Sequence, residues 1–123
     1  MNKDKDCIFC KIATKEIPAE TVYEDKDFMA IMDINPRSPG HILVIPKTHY
    51  RWVWDVPNIG EYFVITKKIA LAQKKAMKTD IIYSNIHGID VEHAHIWIDP
   101  QPESVSGDKN DLKGNAEKIR QAL

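Results

Sequence analysis

The chain has 123 residues, 17 Lys+Arg against 18 Asp+Glu, 43% hydrophobic residues and 28% charged ones. Those figures predict one globular domain over residues 1–123, with its core over about 7–100 and a tail over 101–123. A net charge of −1 gives no overall drive toward nucleic acid or an anionic membrane. No apolar run approaches the ~20 residues of a membrane helix, and the charged start Met1-Asn2-Lys3-Asp4 lacks the apolar stretch of a secretion signal. The expectation is a cytoplasmic protein that binds neither nucleic acid nor membrane.

The first feature along the chain is a Cys7-x-x-Cys10 pair at the head of residues 7–17, where Ile8, Phe9, Ile12 and Ile17 recur near helical spacing before Pro18 ends the segment. Two cysteines exclude a disulfide framework and leave three readings: half of a metal site, a redox pair, or two buried thiols. Residues 21–24 and 28–32 are short β-like runs split by the polar turn Asp25-Lys26-Asp27. Residues 35–40 (NPRSPG) are dense in turn formers, and residues 41–46 (HILVIP) are a buried-strand pattern.

A long helix is predicted from Asn58, with Asn58 as N-cap and Glu61 completing a capping box. Its apolar stripe runs through Ile59, Tyr62, Phe63, Thr66, Ile69, Ala70, Gln73, Ala76 and Met77, and Lys67, Lys68, Lys74, Lys75 and Lys78 form a solvated face. Strands follow at residues 81–85 and 91–98, then a loop over 99–107 and a weak helix in 108–123. Strands, one long helix, then strands, without βαβ alternation, indicate an α+β fold with an antiparallel sheet.

Residues 91–98 carry the chemistry. Strand alternation sets Val91, His93, His95 and Trp97 on one face and Ala94, Ile96 and Ile98 on the core side. Two imidazoles about 6–7 Å apart on one face suit two groups flanking a phosphate, or one each for two different sites. The bland alternative is a semi-exposed aromatic row packed on a partner. A Cys2His2 metal site would draw its histidines from His41, His49, His87, His93 and His95, and spacing alone does not choose among them.

Three blocks then line up in order. They are CIFCKI with EIPA and VYED over residues 7–25, AIMDINP with PGHILVIPKTH over 30–49, and Asn85 with GIDVEHAHIWIDP over 88–100. Together they resemble the histidine triad (HIT) family, in its branch of small nucleoside phosphoramidases and dinucleotide hydrolases, over almost the whole chain. The resemblance implies a five-stranded antiparallel sheet with one long helix, and a homodimer whose two sheets join. It implies a purine-nucleotide pocket with Ile8, Phe9, Ile12, Ile17, Ile31 and Ile34 around the base and Asp33 on the ribose hydroxyls. His41, Asn85, Asp90 and Trp97 fall on positions lining the phosphate end. His95 falls on the nucleophile, which in the family attacks the α-phosphorus to give a nucleotidyl-histidine intermediate. It further implies a structural zinc held by Cys7, Cys10, His49 and His93.

The chain departs from the family at the phosphate end. Trp97 stands where the third histidine belongs, and the loop after Asn85 is short. Ile89 replaces a glutamine, Asp90 a serine or threonine, and Gln101 an arginine. Two readings of function stay open: a hydrolase of nucleotide phosphoramidates or nucleotidyl and dinucleotide conjugates, and a catalytically weakened nucleotide- or protein-binding module. A register with Val91, His93 and His95 as the three motif positions, and a thiol redox role for Cys7 and Cys10, are further alternatives.

Overall fold

Each strand forms where β-branched and aromatic residues run together between turn formers. The computed structural model describes residues 6–123, and the charged start over 1–5 lies outside them. In chain order the elements are α1 (Ile8–Ala13), β1 (Thr21–Glu24), β2 (Phe28–Met32), β3 (Ile42–Pro46), α2 (Ile59–Met77), β4 (Ile82–Asn85), β5 (Ile96–Pro100) and α3 (Leu112–Ala122). Single 3-10 turns occur at Val53–Asp55 and Pro102–Ser104. The strands make one five-stranded sheet in the order β1-β2-β3-β5-β4, antiparallel throughout. This is the expected α+β architecture.

Both faces of the central strands are covered, so β2 and β3 are buried at every position. The two sets of alternating side chains feed two cores. Phe28, Ala30, Met32, Ile42, Val44, Ile96 and Ile98 pack with Tyr62, Ile65, Ile69 and Met77 of α2 and Ala116 and Ile119 of α3. Met29, Ile31, Leu43 and Ile45 pack with Phe9, Cys10 and Ile12 of α1. Polar side chains tie α2 to the sheet from inside the larger core. Tyr62 donates its hydroxyl to the Val44 carbonyl at 2.7 Å, and the Gln73 amide donates to the carbonyls of Gly40 and Ile98, each at 2.8 Å. Such buried bonds add about 1 kcal/mol each and fix the helix register.

The structure differs from the sequence expectation at several points. Asn58 precedes α2, but its side chain makes no cap bond; its amide turns instead to Asp27 at 3.4 Å. The buried stripe of α2 is Tyr62, Ile65, Thr66, Ile69, Ala72, Gln73 and Met77. Phe63 is exposed, because α3 packs against α2 and draws the stripe toward Ile65 and Ala72. The C-terminal helix is correspondingly part of the main core: Ala116 and Ile119 are fully buried in it, and Arg120 donates to the Thr21 carbonyl of β1 at 3.0 Å. The last strand starts at Ile96, not 91, and runs on to Pro100. Residues 91–95 leave the ladder as bends, held by the Ala94 amide on the Tyr50 carbonyl at 2.7 Å. That departure lets His93 and His95 reach different neighbours.

Candidate active site and metal centre

Cys7 sits at the start of α1, where its sulfur accepts from the Cys10 amide at 3.3 Å. One helical turn therefore presents both sulfurs to the same point. His93 Nδ1 lies 3.2 Å from Cys7 Sγ and 3.5 Å from Cys10 Sγ, and His49 Nδ1 lies 3.3 Å from Cys10 Sγ. All four ligand atoms lie within 4.8 Å of one another. Tetrahedral zinc with bonds of ~2.3 Å to sulfur and ~2.0 Å to nitrogen needs sulfur–nitrogen edges of about 3.6 Å, so these side chains are positioned to hold such an ion. His93 Nε2 donates to the Pro46 carbonyl at 2.8 Å, which leaves the Nδ1 lone pair facing the thiols. Burial pushes His93 down to about 4 and Cys7 up to about 11. The imidazole is thus already in its ligating form, and the Cys7 thiol is kept protonated until a metal displaces the proton.

A slot of about 240 Å³ opens beside this cluster on the α1 side of the sheet. It is lined by Ile8, Phe9, Ile12, Ile17, Ile31, Asp33 and Ile34, all seven of the residues expected around base and ribose, and also by Leu43, Asp90 and Val91. Ile34 is 71% exposed and forms an outer lip, whereas Phe9 and Ile31 are buried in the floor. Asp33 lies at the polar end: its Oδ1 accepts from the Asn35 amide at 2.8 Å. Burial, with the nearby charge of Asp90 adding to it, holds its carboxyl above the ordinary range. A more open depression of about 410 Å³ at the end of α2 is lined by Leu71, Lys74, Lys75, Lys78, Thr79 and Asp80, the solvated lysine face expected from sequence.

His95 is buried, with its ring edge-on to Phe9 at 5.3 Å between centroids. Its Nδ1 lies 2.7 Å from the His93 carbonyl, and its Nε2 lies 2.9 Å from Asp90 Oδ1. Both partners are acceptors when Asp90 is ionised, so either both ring nitrogens carry protons or the carboxyl does. Against the cost of its own burial, the charge and hydrogen bond of His95 keep Asp90 below the ordinary carboxylate range.

The remaining expected residues surround Trp97 and do not line the slot. His41 is buried 5.2 Å from the indole, and Asn85 of β4 is the register partner of Trp97. His41 Nδ1 accepts from the Arg37 amide at 3.0 Å, so its proton is on Nε2, which has no hydrogen-bond partner among the described residues and lies 3.5 Å from Asp33 Oδ2. Burial pushes His41 down to about 4. The Trp97 indole N–H is likewise buried without a partner. Three groups close around Trp97 that the sequence did not single out for this site. His87 stands edge-on at 4.8 Å, the Arg37 guanidinium lies 5.0 Å from the ring centroid, and buried Asp99 pairs with Arg37 at 3.3 and 3.4 Å. Arg37 lay in a loop of turn formers and His87 in a short turn, so neither had a periodicity to mark it. Asp99 had one cue, the period-2 pattern from Trp97.

A family model described as the HIT domain matches residues 14–103. The adenosine 5'-monophosphoramidase HNT1 of Saccharomyces cerevisiae is 38% identical over 109 residues, covering 85% of this chain and 68% of that protein. A Hit-like protein from Bartonella henselae superposes with a TM-score of 0.83 at 38% identity, covering 99% of this chain and 100% of the other. A zinc-bound histidine triad protein from Mycobacterium smegmatis superposes with a TM-score of 0.78 at 30% identity, covering 95% and 92%. With the family model matched over residues 14–103 and the fold shared with these proteins, the chain belongs to the HIT family.

Proposed function

We propose that this protein is a nucleotide-binding hydrolase that cleaves nucleotide phosphoramidates, or nucleotidyl and dinucleotide conjugates, at the α-phosphorus. The observation that carries the reading is the placing of His95. Its Nδ1 is tied to a backbone carbonyl, and its Nε2 points to Asp90, a wall of the apolar slot. The base lies between Ile8, Phe9, Ile12, Ile17, Ile31 and Ile34, and Asp33 accepts from the ribose hydroxyls. The phosphate end is formed by His95, Asp90, Asn85, His41 and Trp97.

Attack needs the Nε2 lone pair, so the proton shared with Asp90 moves to the carboxyl as the phosphate enters. One transfer frees the nucleophile and removes the Asp90 charge that would repel the phosphate. Nε2 then bonds to phosphorus, the bond to the leaving nitrogen or oxygen breaks with its electron pair, and Asp90 returns the proton to that atom. Water next attacks phosphorus and loses a proton to Asp90, the P–Nε2 bond breaks with its electron pair returning to His95, and the nucleoside monophosphate departs. Bound to Cys7, Cys10, His49 and His93, zinc would have no open position, so its contribution is structural: it fixes the bend whose next residues present His95. His93, committed to that cluster, is not the nucleophile, which disfavours the shifted register.

The protein is further read as a cytoplasmic homodimer. No helix among the described residues is long and apolar enough to cross a membrane. β4 is a sheet edge, and Tyr83 on it and Val64 on α2 are exposed. One observation favours the second reading, a weakened binding module: the Asp90 carboxylate blocks the nucleophile, and Trp97 fills the strand position beyond it. The deciding experiment incubates the protein with adenosine and guanosine phosphoramidates and a dinucleoside polyphosphate. Monophosphate release, with a trapped nucleotidyl adduct on His95 by mass spectrometry, supports the hydrolase. Tight AMP or GMP binding without turnover supports the module.

A further inference from the structure

We infer that His87 is a second phosphate-contacting imidazole, propped on Trp97 so that it and His95 grip one phosphoryl oxygen from two sides. The inference rests on the nucleotide reading of the slot. Its ground is the position of one oxygen. Asp90 Oδ1 lies 2.9 Å from His95 Nε2 and 4.0 Å from His87 Nδ1. An anionic oxygen thus already stands between the two imidazoles, within hydrogen-bond reach of His95 and about 1 Å beyond it from His87, so a phosphoryl oxygen in its place accepts from both once the His87 ring closes by about that much. The rings are 6.4 Å apart and nearly perpendicular, at 81°, so their edges converge on that space without stacking across it.

His87 is held there by the loop that carries it. The Trp97 ring meets it edge-on at 4.8 Å. On the far side, Gly88 adopts φ +70°, and a Cβ there would come within 3.2 Å of the Trp52 ring, so the backbone passes close against that indole. Arg51 lies 3.7 Å over the same ring and donates to the Gly88 carbonyl at 2.8 Å. The charged and titratable groups facing His87 are therefore Asp90, His95 and Arg51, and its side chain is 39% exposed on the open side. A His-x-His-x-Trp strand so keeps a second imidazole at the phosphate by borrowing it from the neighbouring loop. Trp97 is the positioning residue and His87 the contacting one.

The test measures binding of AMP and of adenosine, with GMP and guanosine in parallel, to the wild type and variants by calorimetry. His87→Ala is expected to weaken AMP by about ten- to a hundredfold, the loss of one charge-assisted hydrogen bond, and to leave adenosine within about twofold. His87→Asn, which keeps a donor, should recover part of the loss. Trp97→Leu should also lose AMP selectively, and Trp97→His in the His87→Ala background should restore it, because position 97 and His95 both border the space His87 occupies. Unchanged AMP affinity in His87→Ala, or equal losses for AMP and adenosine, overturns the inference. These readouts are independent of turnover. An AMP-selective loss in the variants with no hydrolysis by the wild type sinks the hydrolase reading alone, and a wild type that binds neither monophosphate sinks both.

Discussion

His93 and His95 are two residues apart, yet they belong to two regions built on opposite plans. The metal end is closed: two sulfurs and two imidazoles face inward, one of them fixed from behind by the Pro46 carbonyl. The phosphate end is open and reworked. The imidazole proposed as its nucleophile, His95, is paired with a carboxylate, Trp97 places an indole two residues on, and an imidazole from the loop stands beside that indole. A four-ligand set loses its purpose when any member changes, because coordination needs all four. A phosphate can be held by any donors of the right reach, so that end tolerates substitution and compensation.

The sharpest way to break this contrast is His95→Ala. It should lower phosphoramidate turnover by at least about 10³-fold while weakening AMP by only about ten- to a hundredfold, the loss of one phosphate contact, measured by monophosphate release and calorimetry. Turnover that survives would put the nucleophile elsewhere. Next in size is Cys10→Ser, expected to lower stability by roughly 3 kcal/mol, a fall of about 10 °C in melting temperature, with bound zinc dropping well below one equivalent. An unshifted melting curve at full zinc content would show that the end is not closed as described.

Asp90→Asn separates charge from proton transfer. It should tighten AMP by about tenfold, since a charge facing the phosphate is gone, and slow turnover, since the carboxyl proton is lost. If binding is unchanged, Asp90 does not face the phosphate. The smallest expected effect is on acid stability. The unfolded chain protonates His41 near 6.5, whereas the folded chain holds it neutral to about 4. Between those values the unfolded state binds more protons, so stability falls as pH drops through the window. Melting temperature should decline from pH 6.5 toward 4, and His41→Gln should flatten that decline relative to wild type.

The lining of the slot was legible through the family resemblance, whereas periodicity marked its residues only as apolar. Ile8, Phe9 and Ile12 recur on one short helix, and Ile31 lies on a run of β-formers. The metal set was legible only in part from the residues: Cys7 and Cys10 are local, but the choice of His49 and His93 among five histidines came through the family resemblance. The stripe of α2 was misplaced at Phe63 because its outline depends on α3, a helix that intrinsic propensity underrates and packing stabilises. The Asn58 cap failed for a similar reason: Asp27 offers that amide a partner from another turn.

By itself the sequence determined the antiparallel α+β order, the paired thiols and the imidazoles of residues 93 and 95, because each is written in neighbours a few positions apart. Only the tertiary structure decided that residues 91–95 leave the ladder, that Asp90 faces the His95 nitrogen, and that His87, Arg37 and Asp99 gather around Trp97. Those contacts join loops and strand ends whose side chains obey no period. What sets them is where the chain is forced to pass, not what lies next in it.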